Sequence, residues 1–160
     1  FSHGSNAALG GPWDAAQTTL ALHVRSGDRY KNHITPVLSD TFLRHSTGEL
    51  QQIEAVFIAT DDADNLDEAT AFKEQHGQGP PLFWDESEDR RSHVVKDIEN
   101  RQANATALTI EAAKNIVLLA ASNAFTGTQL SQFSKLSAAI ACTQGRLLRD
   151  PDFVAYSKNS

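Results

Sequence analysis

The chain has 160 residues, 40% of them hydrophobic, which suits one globular domain that buries roughly 70% of its unfolded surface. Fourteen Lys and Arg stand against twenty Asp and Glu, a net charge of −6 that argues against a broad nucleic-acid surface or a polybasic membrane anchor, so any phosphate ligand must be held by a few local groups. The single cysteine, Cys142, excludes an internal disulfide framework and a multi-cysteine metal site, and no apolar run approaches the ~18 residues of a membrane span.

In chain order, Thr18 to Arg25 (TTLALHVR) is a short β-rich apolar run that reads as a buried parallel strand. Asp40 to Ile53 suits a helix capped by Ser39 or Asp40, and Ala55 to Asp61 (AVFIATD) is a second strand. Asp64 to Gln75 follows as a helix with Asp62 or Asp64 as N-cap and Gly77 as its stop. After Pro80 and Pro81 comes a candidate third strand, Leu82 to Trp84, and Glu86 to Arg91 reads as a surface loop. Thr106 to Ser122 is a long, mostly buried helix with Glu111, Lys114 and Asn115 as its one polar stripe. Ala124 to Thr128 is the next strand. Leu130 to Cys142 is a helix with Phe133, Leu136, Ser137 and Ile140 inward, and Gly145 ends it. A short segment near Phe153 to Tyr156 has no assigned form. The alternation predicts an α/β fold, an open and mostly parallel sheet with helices on both faces, whose ligands bind at the carboxyl ends of the strands.

Three polar clusters fall at those ends. In His23-Val24-Arg25-Ser26-Gly27-Asp28-Arg29, His23 and Arg25 project to one side of the strand, Gly27 allows a sharp turn, and a guanidinium offers paired donors to phosphate oxygens. A surface Arg-Asp pair would account for the same residues. Thr126 to Gln132 (TGTQLSQ) sits where a strand passes into a helix, where free N–H groups, the helix dipole and the hydroxyls of Thr128 and Ser131 favour an anion. Its spacing matches neither GxGxxG nor GxxxxGK[ST], and an ordinary capping box explains it equally. Asp61-Asp62-Ala63-Asp64 contains an Asp-x-Asp spacing that holds a divalent metal in some sugar-nucleotide enzymes, although carboxylates at a helix start also cap it. His33, His45, His76 and His93 show no zinc-ligand spacing. Asn104-Ala105-Thr106 fits a glycosylation sequon, a triplet common by chance.

Three blocks together, LHVRSGD (Leu22 to Asp28), VFIATDD (Val56 to Asp62) and NIVLLAASNAFTGTQLSQFSKL (Asn115 to Leu136), resemble the donor-binding half of fucosyltransferases related to the animal α1,6-fucosyltransferases and the bacterial nodulation-factor enzymes. The resemblance spans most of the chain. It implies a GT-B-type architecture of two Rossmann-like domains facing across a cleft, with residues 1–160 forming the carboxyl-terminal, GDP-fucose-binding one and the acceptor-side domain missing. The absence of Met fits a piece of a longer polypeptide.

By the same resemblance His23 contacts the guanine, and Arg25 holds the diphosphate and stabilises the leaving group. Asp61 and Asp62 match the family's acidic pair, while Ser131 with Gln132 match its phosphate-side contacts. Ser26 stands where the animal enzymes have a second arginine, with Arg29 and Lys31 nearby as substitute cations. Asn115 stands where they place an aspartate for the guanine N–H groups, and His33 aligns with the proposed base. The implied activity is inverting, metal-independent transfer of fucose to a glycan or glycoconjugate hydroxyl, with GDP-fucose as donor, no cofactor, and a Golgi or secretory-pathway location in a eukaryote. Two alternatives are a degenerate, non-catalytic sugar-nucleotide-binding domain, suggested by Ser26, His33 and Asn115, and a metal-dependent glycosyltransferase using Asp62 and Asp64.

Overall fold

A computed structural model of the chain describes residues 17–26, 32–86 and 104–154. Its elements are β1 (Thr19–Val24), α1 (Ile34–Ser46), β2 (Ala55–Thr60), α2 (Ala63–Gln75), β3 (Leu82–Phe83), α3 (Ala105–Ala120), β4 (Ala124–Thr128), α4 (Gln132–Thr143) and β5 (Asp152–Val154). All five strands run parallel, in the order β3-β2-β1-β4-β5. Every residue of β1, β2 and β4 is buried, because helices cover both faces and the pleat sends alternate side chains into each layer. On one face Leu20, Leu22, Val24, Val56 and Ile58 meet Ile34 and Leu38 of α1 and Ala69 and Phe72 of α2. On the other, Ala21, Phe57, Ala59 and Phe125 meet Leu119 of α3 and Ala138 of α4. The expected open parallel α/β sheet, Rossmann-like in strand order, is therefore present.

That order fixes where a ligand would lie. From β1 the chain steps outward through β2 and β3, then returns by α3 to β4 on the other side of β1. The segments leaving β1 and β4 consequently diverge to opposite faces, and a crevice opens between their carboxyl ends at this switch point.

Several boundaries differ from the sequence-based expectation. Helix α1 begins at Ile34 and not near Asp40, and His33 occupies the N-cap position expected of Ser39 or Asp40. Pro36 is tolerated because it falls in the first turn, where its missing N–H has no intrahelical partner, and Ile34, Leu38 and Thr41 form the buried stripe. Gly48, at φ 92°, then turns the chain out of the helix well before Ile53. The strands end one residue earlier than expected, at Val24, Thr60 and Phe83, and β1 also begins one residue later, at Thr19. Asp62 caps α2, and Gly145 follows α4 at φ 63° as expected. The unassigned tail segment is the edge strand β5, and its Asp152 joins Arg44, Glu49 and Arg149 in an ion-pair network that ties α1 to that edge. Of the expected loop from Glu86 to Arg91, only Glu86 lies within the described residues.

Two helix faces also need correction. The inner face of α4 is built from the small residues Ser134, Ser137, Ala138 and Ala141, and Leu136 is exposed where an inward position was expected. Small side chains let the helix lie close over β4: a Cβ on Gly127 would stand 2.8 Å from that of Ser134. Helix α3 is less buried than expected, since Val117 is 67% and Ile110 64% exposed, and its buried side is made by Leu119 and Ala120 together with Asn115, which is 4% exposed. The polar stripe faces the protein.

Candidate functional site

At the carboxyl end of the central strands, His23 of β1 pairs in register with Gly127 of β4 and is 6% exposed. Its Nδ1 lies 2.5 Å from Ser134 Oγ, one turn into α4, and its ring packs on Phe133 with centroids 4.9 Å apart. The same Ser134 Oγ accepts the Thr128 N–H at 3.0 Å. The hydroxyl proton then has Nδ1 as its acceptor among the described residues, which leaves the imidazole as the Nε2–H tautomer. Burial, with a smaller contribution from the Arg25 charge, pushes the His23 pKa down to about 3. The ring is neutral at pH 7 and offers a hydrogen-bond donor, not a positive charge.

Thr128 is fully buried, and its hydroxyl donates to the His23 carbonyl and accepts the Arg25 N–H, both at 3.0 Å. Those bonds lock the end of β1 to the end of β4 and occupy the hydroxyl expected to meet a phosphate. Ser26 is similarly engaged: its N–H donates to Asp61 Oδ1 at 2.7 Å, its hydroxyl donates to the Asn32 carbonyl at 2.8 Å, and it accepts from Asn65 Nδ2 at 3.1 Å. Asn32 Nδ2 in turn donates to the Arg25 carbonyl at 2.5 Å. A fixed polar scaffold thus shapes the backbone on either side of Arg25.

The Arg25 side chain itself is 51% exposed, and its Nε stands 3.7 Å from Asp61 Oδ2, too far for a hydrogen bond. Its guanidinium is available to an anion. Burial pushes the Asp61 carboxyl up to about 6, against the Ser26 N–H and the Arg25 charge, which pull it down. Asp62 is the α2 N-cap, its carboxylate accepting the Asp64 N–H at 3.1 Å. Asp28 lies outside the described residues, as do Gly27, Arg29 and Lys31.

Across the crevice, Ser131 is buried and caps α4 by accepting the Ser134 N–H. With Ser134 satisfied, the amides of Gln132 and Phe133 are the first-turn donors without an intrahelical acceptor, and the Gln132 side chain is exposed beside them. This is a dipole-favoured place for an anion, opposite Arg25.

His33 stands at the start of α1 and places Nδ1 2.6 Å from Glu68 Oε1 of α2. It provides no side-chain cap; Asn65 Oδ1 accepts the Ile34 N–H in its stead. Asn115 is five residues before the end of α3, roughly 7 to 8 Å at 1.5 Å per residue, and helical side chains lean toward the N-terminus. Its side chain is buried, under the helix and away from solvent. Its neighbour Lys114 forms an ion pair with the buried Asp85, just beyond β3.

Sequence reasoning missed Asn32, Asn65, Glu68 and Ser134. An Asn three residues beyond the capping Asp62 signals little by itself, because besides nearby Thr60 its partners lie 31 and 39 residues away. Asn104, the sequon residue, is the α3 N-cap, accepting the N–H groups of Thr106 and Ala107. A groove of about 570 Å³ between the carboxyl ends of α1 and α2, lined in part by Phe42, Phe72, His45 and His76, opens at the amino ends of the strands, away from this cluster. Among the described residues no three His, Cys, Asp or Glu side chains come together as a metal site, and no helix is long and apolar enough to cross a membrane. Compared with known protein families and with curated proteins, the chain matches none.

Proposed function

We propose that this chain is the GDP-fucose-binding domain of an inverting, metal-independent fucosyltransferase of GT-B type. The observation that carries the reading is the convergence, at the β1/β4 switch point, of a neutral buried imidazole (His23), an available guanidinium (Arg25) and the amino end of α4 (Ser131, Gln132). A guanine nucleotide presents a base with hydrogen-bond acceptors and a diphosphate about one ribose away. The cluster offers an uncharged donor for the first and cationic and amide donors for the second. In the reaction, an acceptor hydroxyl loses its proton to a base, for which His33 is the candidate, and attacks the anomeric carbon as the bond to GDP breaks. Arg25 and the α4 amides stabilise the charge that grows on the departing diphosphate. The acceptor glycan would be held by a second domain, and a secretory-pathway lumen follows from the same reading. Because the Ser26 and Thr128 hydroxyls are engaged within the protein, fewer groups remain for phosphate than the motifs suggested, which favours a non-catalytic nucleotide-binding domain as the second reading.

Calorimetry of GDP and GDP-fucose with the chain in the presence of a chelator tests the proposal. Binding without metal is expected, and binding only with added Mn²⁺ would refute it. Release of GDP from GDP-fucose by the full-length parent separates the enzyme from the non-catalytic reading.

A further inference from the structure

The contact between His33 and Glu68 has a defined polarity. Glu68 Oε2 accepts from the Thr35 hydroxyl at 3.0 Å and, more weakly, from the Thr35 N–H at 3.4 Å, while Oε1 faces His33 Nδ1 at 2.6 Å. Burial pushes the Glu68 carboxyl up, but the bonds from His33 and Thr35 outweigh it and hold the group below its ordinary value. It is therefore ionised at neutral pH and can only accept, so in the neutral imidazole Nδ1 carries the proton and Nε2 is bare. The His33 side chain is about half exposed, and no hydrogen bond reaches Nε2 among the described residues. Asn32, the preceding residue, is bonded to the Arg25 carbonyl, which sets the pair at the carboxyl end of β1 beside the candidate phosphate site.

We propose that Glu68 is a positioning residue for His33: it fixes the ring orientation and the Nδ1–H tautomer so that Nε2 takes the proton of the attacking hydroxyl. The proposal rests on the donor-domain reading above. As the oxygen–proton bond of the acceptor breaks, the proton passes to Nε2, the oxygen bonds the anomeric carbon, and the carbon–oxygen bond to GDP leaves with its electron pair. The imidazolium that forms is stabilised by the Glu68 carboxylate, and Thr35 keeps that carboxylate from turning away.

Glu68 also helps to cap α1, so the test needs readouts that a purely structural role would not move. Long-range ¹H–¹⁵N spectra of the chain are expected to show His33 protonated at Nδ1 when neutral. In Glu68→Ala the proton moves largely to Nε2, the form favoured by free imidazole, while the affinity for GDP changes less than twofold. Turnover of GDP-fucose with water as acceptor is expected to lose about 10- to 100-fold in kcat at unchanged KM. Glu68→Gln, which preserves the shape at the α1 start, is measured in parallel in case the alanine variant unfolds; without the carboxylate charge it falls between wild type and Ala in kcat. A wild-type ring protonated at Nε2, or variants that lose only thermal stability while tautomer and kcat stay the same, overturn the proposal. If the wild-type chain neither binds GDP nor turns over GDP-fucose, the donor reading fails, and the spectra alone decide whether Glu68 sets the His33 tautomer.

Discussion

A buried neutral histidine makes folding sensitive to acid, and the size of the effect follows from the site. His23 has an ordinary value of 6.5 in the unfolded chain and about 3 in the folded one. A depressed value means that the unfolded state binds the proton first. The stability is present above pH 6.5 and is lost as pH falls toward 3. At pH 5 the unfolded chain is favoured by a factor of about 30 from this group alone, or about 2 kcal/mol. Asp61 acts in the opposite sense, because its carboxyl is raised to about 6, so protonation below that pH favours the folded state. The two partly cancel in wild type. The measurement is therefore a difference: urea unfolding from pH 7 to pH 5 in wild type and in His23→Gln, whose amide can still bond Ser134. The variant should lose about 2 kcal/mol less than wild type over that interval. Equal losses, or a His23 resonance that titrates near 6.5 in the folded chain, would show that the ring is not held neutral as described.

Three further outcomes are expected. Arg25→Ala should weaken GDP binding about 30-fold or more, the loss of a charge-assisted phosphate contact, and should leave urea stability within about 0.5 kcal/mol, since its pairing with Asp61 is loose; calorimetry and denaturation check the two halves. Asn115→Asp should cost about 1 to 3 kcal/mol for a carboxylate in a buried position and leave GDP affinity within about twofold, since the side chain lies under α3 away from solvent; thermal unfolding and competition binding check the two halves. Gly127→Ala should cost about 1 to 3 kcal/mol and loosen the His23–Ser134 bond, because a Cβ there would lie 2.6 Å from the Phe125 ring and 2.9 Å from Ser134 Oγ; the histidine ¹⁵N shifts report the second effect.

Strands were the most legible part of the sequence, since TLALHV and AVFIAT are mostly apolar runs that a parallel sheet buries on both sides. Helix α1 was less so, because Pro36 marks a boundary in sequence but is harmless in a first turn. On the α4 face Ser137 is inward as expected, but apolar bulk favours Leu136 in the sequence over Ser134, Ala138 and Ala141, whereas small size is what lets the helix approach the sheet. In the candidate site, His23 and Arg25 stood out in the sequence as polar residues at the end of an apolar run, His23 the last residue but one of β1 and Arg25 just beyond it. The Glu68 and Asn65 contacts were not, because they are long-range bonds between helices that no local pattern encodes.

The strand order carries a consequence for how the chain is made. β1 is the first described strand to be synthesised and also the middle of the sheet, yet its register with β4 joins residues about a hundred positions apart, Leu20 to Ala124. Until β4 emerges, one full edge of a mostly apolar strand stays unpaired. Contacts of such long sequence separation close slowly, and an open apolar edge invites pairing with another chain in the meantime. Refolding yield should accordingly fall with protein concentration, and truncations that end before Ala124 should aggregate during synthesis and not accumulate as a smaller folded unit.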